Sequence, residues 1–285
     1  MFLRYAAVFF FGLALVSQGP PAAAGSKEVS FARAPFASEI GDRDVSFLAR
    51  DLETDTDHVL EGSALGERHT PWSSFKIVNF LIALESGAVP SADAVFPWDS
   101  TRRPAAGYWP DAWRQDQSLT SAFKRSAVWF FRDVALKVEN QHYRTVLRDW
   151  GYGNAIVPDG SDRFWLDGSL RISVAEQVDV LSAIAENRLG VSTGTLDALV
   201  HASRAGTAGA VSLHGKTGAG PVVSGQFNGP FEGWYVGFVR RADARPVVFA
   251  LHTRAPSFRA LKDFRKRFAV RLLKHRGLVP ADMPD

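Results

Sequence analysis

Apolar and polar residues alternate over residues 44–52, which predicts a strand. The acidic and threonine residues of 53–57 predict a polar turn, and residues 58–65 a returning strand. The apolar run 77–84 reads instead as a helix, opened by Thr70 as N-cap and Pro71 at the first position and closed by Gly87 with Pro90 beyond it. Residues 95–117, rich in Pro, Trp and Asp, read as an ordered surface loop. Helical periodicity resumes over 119–138 and again over 141–150, until Gly151 and Gly153 break it. Ser173-Val174-Ala175-Glu176 is a capping box opening a helix with Val178, Leu181, Ile184 and Leu189 on its apolar face, and residues 196–202 predict another short helix. Past Gly209 the pattern changes. Residues 211–215, 233–240 and 245–253 are short β-rich runs separated by Gly, Pro and Asn, which predicts adjacent antiparallel strands. A closing helix carries Phe258, Leu261, Phe264, Phe268 and Leu272 on one stripe, with Lys262, Lys266, Arg267, Arg271 and Lys274 on a solvated face.

Strands at both ends with helices between them imply an α+β fold. Its antiparallel sheet is shared by the two ends of the chain and flanked by N- and C-terminal helices. An all-helical lobe is inserted over roughly residues 90–200, and the cleft between lobe and sheet is the expected site. Residues 25–285 are expected to form one catalytic domain. Residues 1–24 read as a cleaved export signal: Arg4, an apolar stretch over 5–16, Pro20-Pro21 and the small residues Ala22-Ala23-Ala24. That apolar stretch falls short of the roughly 20 residues that span a bilayer, so a periplasmic protein without a stable membrane anchor is expected.

Composition narrows the chemistry. The chain is 46% hydrophobic and 22% charged, and a net charge of +3 without a basic stripe argues against a nucleic-acid partner. There is no Cys, hence no disulfide, no thiol nucleophile and no cysteine-borne lipid. The seven His show no metal-binding spacing, so neither a metal nor another cofactor is expected. Gly215-Lys216-Thr217 resembles the end of a phosphate-binding loop. However, the first glycine that loop requires falls at Ala210, and Gly218-Ala219-Gly220-Pro221 follows where a helix should start.

Ser73-Ser74-Phe75-Lys76 is the main candidate for chemistry. At the start of a helix it combines a hydroxyl, an amine three residues on and free backbone N–H groups, the minimal kit for acyl transfer. Ser121-Ala122-Phe123-Lys124 repeats the pattern, so context must choose between them. Ser126-Ala127-Val128, expected inside the following helix, offers a second hydroxyl. Tyr152-Gly153-Asn154 sits in a glycine-rich break, and Lys216-Thr217-Gly218 ends a predicted strand with a cation and a hydroxyl.

In that order, Ser-x-x-Lys, Ser-x-Val, Tyr-Gly-Asn and Lys-Thr-Gly resemble the serine penicillin-recognising enzymes. Phe75 and Tyr-Gly-Asn resemble specifically the class D (oxacillinase-type) β-lactamases. The likeness extends through Phe164-Trp165-Leu166-Asp167-Gly168, Leu170-Arg171-Ile172-Ser173 and Gly233-Trp234-Tyr235-Val236-Gly237. It selects Ser73 over Ser121, which shares the predicted helix of Ser126.

The resemblance implies hydrolysis of small-molecule β-lactams through an acyl-enzyme on Ser73, with the N–H groups of Ser73 and Ala219 as oxyanion hole. It implies that Lys76 carries a carbon-dioxide-derived carboxylate as general base. This requires a neutral amine, and bringing a lysine from about 10.4 towards 7 takes roughly 5 kcal/mol of burial. Trp165 would hold that group, with Val128 and Leu166 lining its pocket. Ser126 and Lys216 would relay a proton, and Thr217 and Arg265 would bind the substrate carboxylate. Tyr152, Gly153, Asn154 and Gly218 belong to the structural motifs. Trp72, Ser74 and Ala219 depart from the family pattern and bear on the substrate profile. A DD-peptidase and an acylated, non-hydrolysing β-lactam sensor or penicillin-binding protein are the alternatives; both monomer and homodimer stay open.

Overall fold

The computed structural model of the protein describes residues 26–285, so the predicted export signal lies outside the described residues. Seven strands form one sheet: β1 (Lys27–Phe31), β2 (Asp44–Asp51), β3 (Thr56–Leu60), β4 (Arg204–Ala208), β5 (Val211–Pro221), β6 (Phe231–Arg240) and β7 (Val247–Ala255). Their order is β1-β3-β2-β7-β6-β5-β4. The two ends of the chain meet where β2 pairs with β7, from Asp44 opposite Arg254 to Asp51 opposite Val247. The α+β expectation holds, with one difference: β1 pairs with β3 in parallel.

Alternation along the strands sorts side chains to two faces. Leu48, Trp234, Val236, Phe238, Val248 and Ala250 pack into the larger core shared with the helical lobe. Phe47, Ala49, Tyr235, Val239, Phe249 and Leu251 pack into the second core. That core is covered by α1 (Ala37–Ile40) and by the closing helix α9 (Phe264–His275), while the short α8 (Phe258–Lys262) packs Leu261 against Phe231 and Ala255. Phe268 meets Phe36 edge-to-face at 5.8 Å there. Since both faces are covered, β6 reads as a near-continuous buried run rather than an alternating one.

Between β3 and β4 lie α2 (Lys76–Glu85), α3 (Leu119–Arg125), α4 (Val128–Val138), α5 (Asn140–Asp149), α6 (Val174–Ala185) and α7 (Thr193–Ser203). Every residue of α2 from Lys76 to Ala83 is buried, so this helix is hydrophobic all round and runs through the core.

Four expectations change. The helix predicted over 119–138 is two helices. Ser126 adopts a left-handed φ of 59°, Ala127 N–H reaches Ala122 O at 2.9 Å and Ser126 N–H reaches Phe123 O at 3.2 Å, which is a Schellman stop with serine where glycine is usual. The apolar period continues across this break, so only the tertiary contact reveals it: Trp113 Nε1–H takes the Arg125 carbonyl at 2.7 Å. The closing helix is likewise divided at Asp263. Strand β5 runs on to Pro221, placing Lys216-Thr217-Gly218 inside the strand, because pairing with β6 continues from Ser212–Arg240 to Pro221–Phe231 despite the glycines. Strands β1 and β4, too short and mixed to show a pattern, were not foreseen.

The capping box forms as expected: Glu176 N–H donates to Ser173 Oγ at 3.2 Å and Ser173 N–H to Glu176 Oε2 at 2.9 Å. Ser173→Ala should therefore lower the unfolding free energy by about 1 kcal/mol, read as a shift of the urea midpoint with an unchanged slope.

Candidate active site

Thr70 and Pro71 do not cap a helix. His69 is held in an antiparallel bridge with Ile172, Thr70 O accepts the Trp234 indole N–H at 2.9 Å, and residues Trp72–Phe75 make a 3-10 turn before α2 begins at Lys76. In a 3-10 turn residues three apart eclipse, and here Lys76 Nζ donates to Ser73 Oγ at 2.7 Å. The turn is fastened from below, where Ser74 Oγ donates to Pro71 O at 2.6 Å and accepts from Gln177 Nε2 on α6 at 3.0 Å. Strand β5 closes against it. A Cβ on Gly218 would stand 2.8 Å from Pro71 O and 3.2 Å from Ser73 N, so only glycine lets the strand backbone approach the Ser73 turn.

Three basic side chains meet in the site. Lys76 is fully buried with the Phe131 ring 5.3 Å from its Nζ; burial, then the Lys216 charge, hold its amine well below the usual lysine range. Lys216 is buried beside the Phe123 ring and is brought down to about 7 by burial and then by the Arg265 charge. Arg265 is 8% exposed, its Nε and Nη1 have no partner among the described residues, and burial lowers it to about 10. Buried guanidinium donors without partners suit an anion. Arg267 pairs with Glu39 and Arg259 is exposed, which separates Arg265 from its neighbours.

Ser126 lies at the break between α3 and α4, not within a helix. Val128 opens α4, three residues before the Phe131 that covers Lys76. Ser121 is committed elsewhere: it shares a capping box with Ser118, and Lys124 is exposed, so the second Ser-x-x-Lys is incidental. Thr217 and Ala219 point to the opposite face of β5 from Lys216. Ala219 packs near Leu261, while Lys216 and Thr217 both line a cavity with Phe123 and Lys124 of α3.

Tyr152-Gly153-Asn154 organises the loop that carries Trp165 and Leu166. Asn154 Oδ1 accepts from Arg171 N–H at 2.9 Å and its Nδ2 donates to Ser169 O at 2.8 Å. Gly153, at φ 56°, leaves room for the Arg171 carbonyl. Tyr152 packs edge-on to Phe75, and burial pushes its hydroxyl up. Leu166 is half-buried against the larger core. Trp165 is fully buried, stacked on Phe75 at 5.6 Å, and its Nε1–H has no partner among the described residues.

Sequence reasoning missed Gln177, Glu232, His69 and His252. The last three bring potential metal ligands within 4.8 Å of one another. The two imidazole planes, however, are stacked 10° from parallel at 3.7 Å, and Arg254 Nη2 lies 3.2 Å from His69 Nδ1. In-plane lone pairs on parallel rings do not converge on one ion, and a guanidinium repels it, so this group does not suit a metal.

A family model described as the penicillin binding protein transpeptidase domain matches residues 44–272. The chain is 30% identical to Beta-lactamase OXA-20 of Pseudomonas aeruginosa over 95% of each protein. It is 32% identical to Regulatory protein BlaR1 of Bacillus licheniformis over 75% of this chain and 34% of that protein, so it spans about a third of the regulator. The solved class D β-lactamase of Sebaldella termitidis superposes with a TM-score of 0.79 at 26% identity, covering 90% of this chain and all of the other. The chain belongs to the penicillin-binding-protein transpeptidase family and, within it, to the class D β-lactamases.

A buried amine at about 7 against 10.5 in the unfolded chain has a signed consequence for stability. Between those pH values the unfolded chain holds a proton that the folded one lacks, so stability rises with pH; below about 7 the full cost of a buried charge is present. Lys216→Met should be more stable than the parent at pH 6, and that gain should shrink steadily towards pH 10 in a denaturant series.

Proposed function

We propose that the protein hydrolyses β-lactams in two steps through an acyl-enzyme on Ser73. The observation that carries this reading is the buried Lys76 amine, 2.7 Å from the Ser73 hydroxyl and held away from its charged form. In acylation, Lys76 Nζ takes the hydroxyl proton as Ser73 Oγ bonds to the lactam carbonyl carbon, the C–N bond of the ring breaks, and the Ser73 N–H with that of Ala219 holds the oxyanion. One such donor is typically worth about 2.7–4 kcal/mol. Ser126, with Lys216 behind it, delivers the proton to the departing nitrogen. In deacylation, water adds to the ester carbonyl, the bond to Ser73 breaks and the opened acid leaves. Thr217 and Arg265 hold the substrate carboxylate, which the positive field of Arg265 draws in.

The site also fits a carboxylated Lys76. A lysine depressed by burial supplies the neutral amine that carbon dioxide requires, and the unpartnered indole N–H of Trp165 supplies a donor for the product. Such a carboxylate supplies a general base at the nucleophile when present. Val128 and Leu166 would keep water from it.

A second reading, an acylated β-lactam sensor, is favoured by the likeness to BlaR1. Export to the periplasm remains part of the proposal and rests on residues 1–24; among the described residues no helix is long and apolar enough to cross a membrane.

Turnover of a chromogenic cephalosporin, with and without bicarbonate, separates the readings. We expect many turnovers per enzyme and stimulation by bicarbonate, with isotope-labelled carbon dioxide giving a carbamate NMR signal that Lys76→Ala abolishes along with turnover. A single stoichiometric burst followed by a stable adduct points to the sensor. A Lys76→Ala variant with full turnover refutes the base assignment.

A further inference from the structure

Trp72, immediately before the nucleophile, adopts a left-handed φ of 51°. For a bulky residue that conformation is strained and persists only where its surroundings impose it. Two contacts do so. Its indole Nε1–H donates to Glu232 Oε1 at 3.0 Å. Its ring lies flat on Gly220, where a Cβ would stand 2.2 Å from Cη2. Gly220 and Glu232 face each other across the β5–β6 ladder, so one site on the sheet provides both the floor for the ring and the anchor for its N–H.

The anchor is itself fixed. Glu232 is buried, and its second oxygen lies 3.5 Å from His69 Nδ1, 3.5 Å from His252 Nε2 and 3.9 Å from Arg254 Nε. The carboxylate is held below the usual range, to about 2; burial opposes this and the facing imidazoles and indole outweigh it. A hydrogen bond to such an acceptor is charge-assisted, about twice as strong as a neutral one. The peptide that joins Trp72 to Ser73 carries the Ser73 N–H, so rotation of Trp72 to an ordinary negative φ would swing that donor and displace the hydroxyl.

We propose that Trp72 and Glu232 are a positioning pair, in which the buried carboxylate tethers the indole so that the left-handed backbone before Ser73 aims its N–H and Oγ at the substrate carbonyl. The proposal rests on the acylation of Ser73 argued above. As a positioning pair, both act through the backbone of the nucleophile.

Rapid-quench intact-mass measurement of acylation by benzylpenicillin tests the pair in the full mature protein. Trp72→Phe removes the N–H together with the distal ring atoms over Gly220, and Glu232→Leu removes only the acceptor. Each should slow acylation about tenfold or more, the scale expected for small displacements of a reacting group. The double variant should be no slower than the worse single, and Glu232→Gln, whose amide oxygen still accepts, should stay within about threefold of the parent. A general loss of packing would multiply in the double variant and would not be rescued by Gln. Trp72→Phe acylating at the parental rate, or effects that multiply, overturns the pair while leaving acylation intact. If Glu232→Leu fails to fold, Trp72→Phe against the parent decides alone. A parent that is never acylated defeats the acyl-enzyme reading itself and this proposal with it.

Discussion

The burial of one amine governs the site. Lys76 is the first residue of a helix whose next seven residues are also buried, and it has Phe131 over its Nζ and a second lysine charge nearby. A lysine in that setting cannot easily keep its proton, because desolvation penalises the ammonium and no carboxylate partner among the described residues compensates it. The depressed amine is therefore a consequence of burial in the fold, and the chemistry proposed at Ser73 rests on it. An amphipathic α2 with a solvated face would leave Lys76 an ordinary surface cation.

Around this amine, strain is held by aromatic hydrogen bonds. Trp72 and Ser126 are both non-glycine residues with left-handed backbones, the first next to Ser73 and the second at the α3–α4 break. Each is stabilised by an indole: Trp72 through its own N–H to Glu232, Ser126 through Trp113 on the Arg125 carbonyl that ends α3. Trp129 in turn donates to Trp113 O at 2.7 Å, and Trp234 to Thr70 O, so the indoles tie loop, helix and sheet to the same cleft. A rigid ring with a single donor suits this work, since it fixes a distance and a direction at little entropic cost.

Much of the fold was legible because local rules agreed with tertiary demands. Alternation placed β2, the capping box placed the start of α6, though that helix ends at Ala185 short of the expected Leu189, and the apolar run placed α2. Errors arose where a long-range contact overrode a local pattern. The period over 119–138 is continuous, yet Trp113 and a left-handed Ser126 divide it. Glycines inside Lys-Thr-Gly-Ala-Gly suggested that the strand stops, yet ten consecutive pairs with β6 carry it to Pro221. Within the site, Ser73 and Lys76 were readable from their spacing. Gln177, His69, His252 and Glu232 were not: Gln177 reaches Ser74 and Glu232 reaches Trp72 and His69 across more than a hundred residues, and no spacing announces them. The one signal present was Trp72 itself, a large ring where the family pattern has a small residue.

By itself the sequence determined the order of elements, the motifs and the family, because hydrophobic period, caps and short chemical motifs are local properties. Only the tertiary structure decided which groups lose their water. Burial and the approach of distant charges set the states of Lys76, Lys216, Arg265 and Glu232, and they depend on which surfaces meet rather than on which residues are neighbours along the chain.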